Sequence, residues 1–213
     1  MMVVKPLAAV ILMASYAVAI PYYKTDCDFS GIDLDGALDK VLGNLPRYHA
    51  PDRRGFRRAF AGLETGSLNV TGLDKIRRFG AIHPYCDNGT LLMSVDVIDE
   101  GDVVLSLPWR ACSGHEGTLN VRTGLSRFTL VFRVVTEESS NNVDNTVLTY
   151  EGPLIPVITV DPHIYINGAG REIRTASMIL SKLLPAFTEG VWNDYFFIYF
   201  RGALREALRD AFE

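Results

Sequence analysis

The sequence is short of the residues that most chemistry needs. It holds three cysteines and four histidines in 213 residues, and His49, His83, His115 and His163 are scattered. There is no G-x-S-x-G elbow, no H-E-x-x-H pair, no P-loop and no dinucleotide glycine fingerprint. His115 stands beside Glu116 in "SGHEG". One such neighbour pair does not supply nucleophile, base and orienting group together. No catalytic residue and no cofactor site is expected, and the chain reads as a non-enzymatic protein.

A basic field is also lacking. Twenty-one Lys and Arg face 25 Asp and Glu, for a net charge of −4. Nucleic-acid binding draws on clustered cations, so a general nucleic-acid partner is excluded. No later segment reaches the roughly 18 uninterrupted apolar residues of a membrane-spanning helix, which excludes an integral membrane protein. Neither an internal repeat nor a long linker divides the chain.

One apolar run does stand at the start. Met1 to Ala19 carries Lys5, then apolar Pro6 to Met13, then Ala17-Val18-Ala19. A basic n-region, a short apolar core and an A-x-A site describe a secretory signal peptide. The expected division is a signal peptide over 1–19 and one domain over 20–213, secreted and extracellular. Without Lys5 the mature chain has 20 basic and 25 acidic residues, a net charge of −5. Two sequons, Asn69-Val70-Thr71 and Asn88-Gly89-Thr90, fit that route as glycosylation sites.

The hydrophobic pattern falls into three parts. In "SGIDLDGALDKVLGNLP", Ile32, Leu34, Leu38, Val41, Leu42 and Leu45 recur at helical spacing. "APDRRGFRRAFAGL" places Phe56, Phe60 and Leu63 on a second short helical stripe. From Gly66 the period changes to two. "SLNVTG", "TLLMSVDVID", "VVLSLPW", "GTLNVRT", "SRFTLVFRVV", "NTVLTYEG" and "PVITVD" are short runs broken by Gly, Asn, Asp and Pro. That pattern predicts six to eight antiparallel strands. The polar patch from Glu137 to Asn145 reads as a surface loop.

After Gly170 the helical period returns. Leu180, Leu184, Phe187, Val191, Tyr195 and Ile198 form one stripe; Phe197, Phe200, Leu204, Leu208 and Phe212 form another. Pro185 kinks the helix or starts its longer half. A helix apolar on nearly all sides must be buried on most of them. A flat sheet covers one side only; a curled sheet covers most. The expected fold is therefore α+β: a strongly curved antiparallel sheet wrapped around a long hydrophobic C-terminal helix, with a shorter N-terminal helix.

The segment "VTGLDKIRRFG" resembles the group 7 mite allergens. They share a V-x-G-L-x-x-hydrophobic-x-R-x-G pattern, met here by Val70, Gly72, Leu73, Ile76, Arg78 and Gly80. The likeness runs upstream through "APDRRGFRRAFAGLETGSLNV" and downstream to the strand after the charged turn. It takes in the final helix, with Asn145 to Gly170 poorly matched. The resemblance implies the tubular lipid-binding superfamily, alongside the juvenile-hormone-binding and takeout proteins and the N-terminal half of bactericidal/permeability-increasing protein. It implies an arthropod source and a secreted protein that holds an apolar or amphipathic molecule between helix and sheet. The expected function is a carrier of a hydrophobic or amphipathic small molecule of the lipid, fatty acid or terpenoid class.

The expected ligand wall is Leu183, Phe187, Val191, Phe196 and Phe200. The aromatic run from Tyr195 to Phe200 could line a cavity or fill a core. The alternative function is extracellular recognition of anionic or microbial lipid through the basic patch Arg53, Arg54, Arg57 and Arg58. That patch could equally be a solvated helix face. Counting outward from a hairpin turn at Glu100-Gly101 brings Cys86 near Cys112, so a Cys86–Cys112 disulfide is expected in an oxidising compartment. Cys27 is then left over. The competing reading joins His83, Cys86, Cys112 and His115 around zinc. The oxidising compartment favours the disulfide, so no metal is expected.

Overall fold

The computed structural model describes residues 27–50, 55–137 and 145–212. The expected signal peptide, Arg53 and Arg54 lie outside them.

Helix α1 (Leu34–Gly43) starts where Asp33 Oδ1 accepts the Gly36 N–H at 2.9 Å. That bond satisfies one of the free donors of the first turn. Ala37, Leu38, Val41 and Leu42 form its buried stripe, which packs against the C-terminal helix.

Among the described residues, twelve strands follow, in two antiparallel sheets. The first sheet holds β1 (Tyr48–His49), β2 (Arg57–Phe60), β3 (Leu63–Thr65), β4 (Asn69–Thr71), β7 (Val104–Ala111), β8 (Glu116–Arg122) and β12 (His163–Asn167). β3 and β4 lie in succession along one edge of β7; β8 takes the other edge, and β12 lies beyond β8. The second sheet holds β5 (Arg77–Asp87), β6 (Thr90–Asp99), β9 (Leu125–Glu137), β10 (Asn145–Tyr150) and β11 (Ile155–Val160). Helix α2 (Arg171–Leu183) and helix α3 (Pro185–Phe212) close the chain, with the break at Pro185.

The sheets cover one face of α3 rather than all of it: the Trp192–Phe196–Phe200 stripe is buried, whereas Leu180, Leu184, Phe187, Tyr195 and Ile198 of the other predicted stripe stay exposed. On the second sheet, Met93, Val95 and Val97 of β6 stand opposite Phe132, Leu130 and Phe128 of β9, and all six are buried. Trp192, Phe196, Phe200, Ala203 and Leu204 of α3 are buried with them in one core. Phe128 meets Phe196 and Phe200 edge-on, at centroid distances of 5.3 and 5.0 Å.

Two expectations are corrected. "GFRRAFAGL" is the β2–β3 hairpin rather than a helix. Gly55 and Gly62 bracket a segment too short to nucleate one, and Gly62 turns with φ +82°. Glu100-Gly101 is a corner rather than a hairpin. β6 pairs with β5 and β9, whereas β7 pairs with β3, β4 and β8, so the chain passes there from one sheet to the other.

That corner overturns the Cys86–Cys112 pairing. Cys86 lies on β5 and Cys112 follows β7, in different sheets. The disulfide is Cys27–Cys86, with Cα atoms 5.9 Å apart, and Cys112 is a free, exposed thiol.

The motif glycines hold the turn between the sheets. Gly72 adopts φ +85°, and a Cβ there would run into the Asp102 carbonyl. Gly80 has φ +85° where the β5–β6 register shifts, so it forms a bulge. Arg78 pairs with Asp35 at the start of α1.

Helix α2 docks on the edge of β12 through its serines. Ser181 Oγ accepts the Ile164 N–H at 2.8 Å, and Ser177 Oγ accepts the Ile166 N–H at 3.2 Å. These bonds cover part of an otherwise open strand edge. Among the described residues, no helix is long and apolar enough to cross a membrane.

Candidate functional site

Between α3 and the first sheet lies a cavity of about 320 Å³. Its floor follows from strand alternation. Leu105 and Leu107 of β7 share one face, as do Leu119 and Val121 of β8. The register sets Leu105 opposite Val121 and Leu107 opposite Leu119, giving four apolar side chains in one tile. Leu68, between β3 and β4, extends it. Ser106 and Asn120 fall on the opposite face and bond to each other at 2.8 Å.

The roof is a single stripe of α3. Val191, Tyr195 and Tyr199 recur every four residues and all line the cavity. Tyr195 is half exposed, which places it at the mouth. The lining contains no charged side chain; its polar groups are the two phenols. Such a surface binds by apolar burial and orients through a hydroxyl.

The sequence-predicted wall residues divide. Val191 lines this cavity. Phe196 and Phe200 are wholly buried and pack on Phe128. Phe187 lines a second apolar cleft of about 180 Å³ under the α2–α3 junction, with Ile164, Ile166, Leu180 and Leu184 among its neighbours. Leu183 is 71% exposed on α2. The sheet-side wall was missed. Its signal was the alternation in "VLSLPW" and "TLNVR", which predicts a shared face but not what lies across from it.

A third pocket, about 220 Å³, adjoins the first and shares Leu68 and Tyr199 with it. Gly55, Arg57, Thr65, Gly66 and Ser67 complete its lining. Arg57 and Arg58 are exposed neighbours on β2, so they point to opposite faces of the strand. That splits the expected basic patch, of which Arg53 and Arg54 lie outside the described residues. Asn88 sits in the exposed β5–β6 turn at φ 48°, while Asn69 is half-buried in β4.

Asp99 is the one strongly perturbed acid resolved. Burial pushes its carboxyl up from 3.8 to about 6, with Asp102 adding to the rise. Oδ1 works against the shift by accepting the N–H groups of Gly101, Asp102 and Val103 at 3.2, 3.0 and 3.1 Å. Oδ2 is buried with no partner. A perturbed acid in a cleft would suggest catalysis. Asp99 lies outside the linings of these pockets and staples the corner between the sheets.

The architecture is α+β: two antiparallel sheets and a long C-terminal helix, with an apolar cavity between that helix and the first sheet. The crystal structure of Takeout 1 from Epiphyas postvittana is similar at 11% identity, over 76% of this chain and 75% of that one, with a TM-score of 0.42. No family model matches the sequence, and no curated protein matches it.

Proposed function

We propose that the protein is a secreted, non-enzymatic carrier of a hydrophobic or amphipathic small molecule. The observation that supports it most is the cavity itself. It is lined by six aliphatic side chains and two tyrosines, and it lies between a helix and a sheet face that would otherwise be in contact. A volume of about 320 Å³ falls within the usual range for small-molecule sites. The lipid, fatty acid or terpenoid class suits this lining. The disulfide Cys27–Cys86 fits an oxidising compartment, and the likeness of Val70–Gly80 to the group 7 mite allergens agrees with secretion and with a lipid cargo.

Recognition of anionic or microbial lipid by a basic surface has less support, because Arg57 and Arg58 face opposite ways. Native mass spectrometry of the chain secreted from a eukaryotic host, followed by organic extraction, tests the carrier. An added mass that extracts as a lipid is expected. A bare protein that also takes up no apolar fluorescent probe would refute it.

A further inference from the structure

We propose that the cargo is a single-chain amphiphile with a carboxylate head, and that Arg57 receives the head in the pocket beside the apolar cavity. This rests on the carrier reading and names the ligand class for the same site.

Leu68 and Tyr199 belong to both linings. A chain lying among Leu105, Leu119 and Val191 therefore passes those two residues to reach the second pocket. The chemistry changes there. The first lining is aliphatic and phenolic; the second adds one guanidinium, the Thr65 and Ser67 hydroxyls and the two glycines Gly55 and Gly66, with no carboxylate among the described residues.

The strands place the cation. Arg57 stands directly opposite Thr65 in the β2–β3 register, so both side chains leave the same face of the hairpin. Among the described residues, Arg57 makes no ion pair, whereas Arg77, Arg78, Arg110 and Arg133 each hold an acid. The nearest acid in sequence to the pocket, Glu64, is engaged by Arg110. Arg57 is thus left with its fork of donors toward an oxygen-bearing anion, which a carboxylate matches in geometry and in single charge. A neutral ester or alcohol could accept a hydrogen bond there but would forgo the charge and the two-oxygen match.

The test measures displacement of an apolar fluorescent probe from the full secreted chain. The competitors are a saturated fatty acid, its methyl ester and an alkyl phosphate of equal chain length. The acid is expected to compete about tenfold better than the ester, the scale of one charge-assisted hydrogen bond. Arg57→Gln should abolish that preference and leave the ester unchanged; Arg57→Lys should keep part of it. Arg57 is exposed, so both variants should retain the wild-type melting temperature. Equal competition by acid and ester, or an undiminished preference in Arg57→Gln, overturns the assignment and leaves the carrier reading standing. Stronger competition by the phosphate overturns the carboxylate. Failure of the chain to take up probe, acid or ester overturns the carrier reading and this assignment together.

Discussion

Trp192 Nε1 donates to Ser126 Oγ at 3.3 Å, with both residues buried and 66 positions apart in the chain. The bond ties α3 to the start of β9. The indole stacks on Phe196 at 4.7 Å, and Phe196 stacks on Phe200 at 5.5 Å. One side of the helix is therefore locked to the second sheet, while the stripe one residue earlier, Val191, Tyr195 and Tyr199, faces the cavity. Ser126→Ala leaves the indole N–H buried and unpaired. It should lower stability by about 1–3 kcal/mol, read from the denaturant midpoint.

The two stripes should respond differently to substitution. Phe196→Ala opens a hole in the core and should destabilise the fold by about 3–5 kcal/mol. Val191→Trp should leave stability nearly unchanged and cut uptake of an apolar probe about tenfold, a loss of ~1.4 kcal/mol. Thermal melts and probe titrations on the same samples check both. A Val191→Trp protein that binds like wild type would remove Val191 from the wall.

Asp99 makes stability pH-dependent in a direction unusual for an acid. Its folded pKa of about 6 lies above the ordinary 3.8, so its contribution is fully present below about pH 4 and is lost as pH rises through about 6. The full shift corresponds to about 3 kcal/mol at neutral pH. Asp99→Asn retains an Oδ1 acceptor for the three backbone donors and removes the buried charge. The variant should gain about 1–3 kcal/mol over wild type at pH 7 and nothing at pH 4. Urea unfolding at a series of pH values gives the difference directly.

The cystine should be structural and the third thiol dispensable. Cys27–Cys86 spans 59 positions, and a loop of that length corresponds to about 4 kcal/mol of unfolded-state restriction. Cys86→Ser should destabilise by that order, whereas Cys112→Ser should leave the melt unchanged. Alkylation of the native protein should label Cys112 alone, with the other two modified only after reduction.

If the chain is secreted with a glycan, Asn88 should carry it. Its turn is exposed, while Asn69 is half-buried within a paired strand. Asn88→Gln should remove a glycosidase-sensitive mass step that Asn69→Gln retains.

Periodicity determined the elements whose patterns were long. The 3.6-residue stripes of α1 and α3, and the alternation from Ser67 onward, follow from which side chains must leave water. An apolar helix required a cover, and the two sheets supply it for the Trp192–Phe196–Phe200 face, while Phe187 and Ile198 remain exposed. Short segments escaped this logic. Phe56, Phe60 and Leu63 match a helical spacing by coincidence, and local pattern cannot tell a six-residue helix from a hairpin turned by Gly62.

What only the tertiary structure decided is which partner each apolar face meets. Glu100-Gly101 looks like any tight turn, because a corner and a hairpin share the same local residues. Whether β7 pairs back on β6 or crosses to the other sheet depends on edges contributed by β3, β4 and β8. That choice moved the disulfide from Cys112 to Cys27. On α3, Val191-Tyr195-Tyr199 and Trp192-Phe196-Phe200 are both apolar and both spaced by four. Apolar spacing alone does not say which stripe is buried: Trp192, Phe196 and Phe200 are wholly buried, and Tyr195 is half exposed. Only packing against Phe128 on one side, and the Leu105–Val121 tile on the other, separates core from cavity.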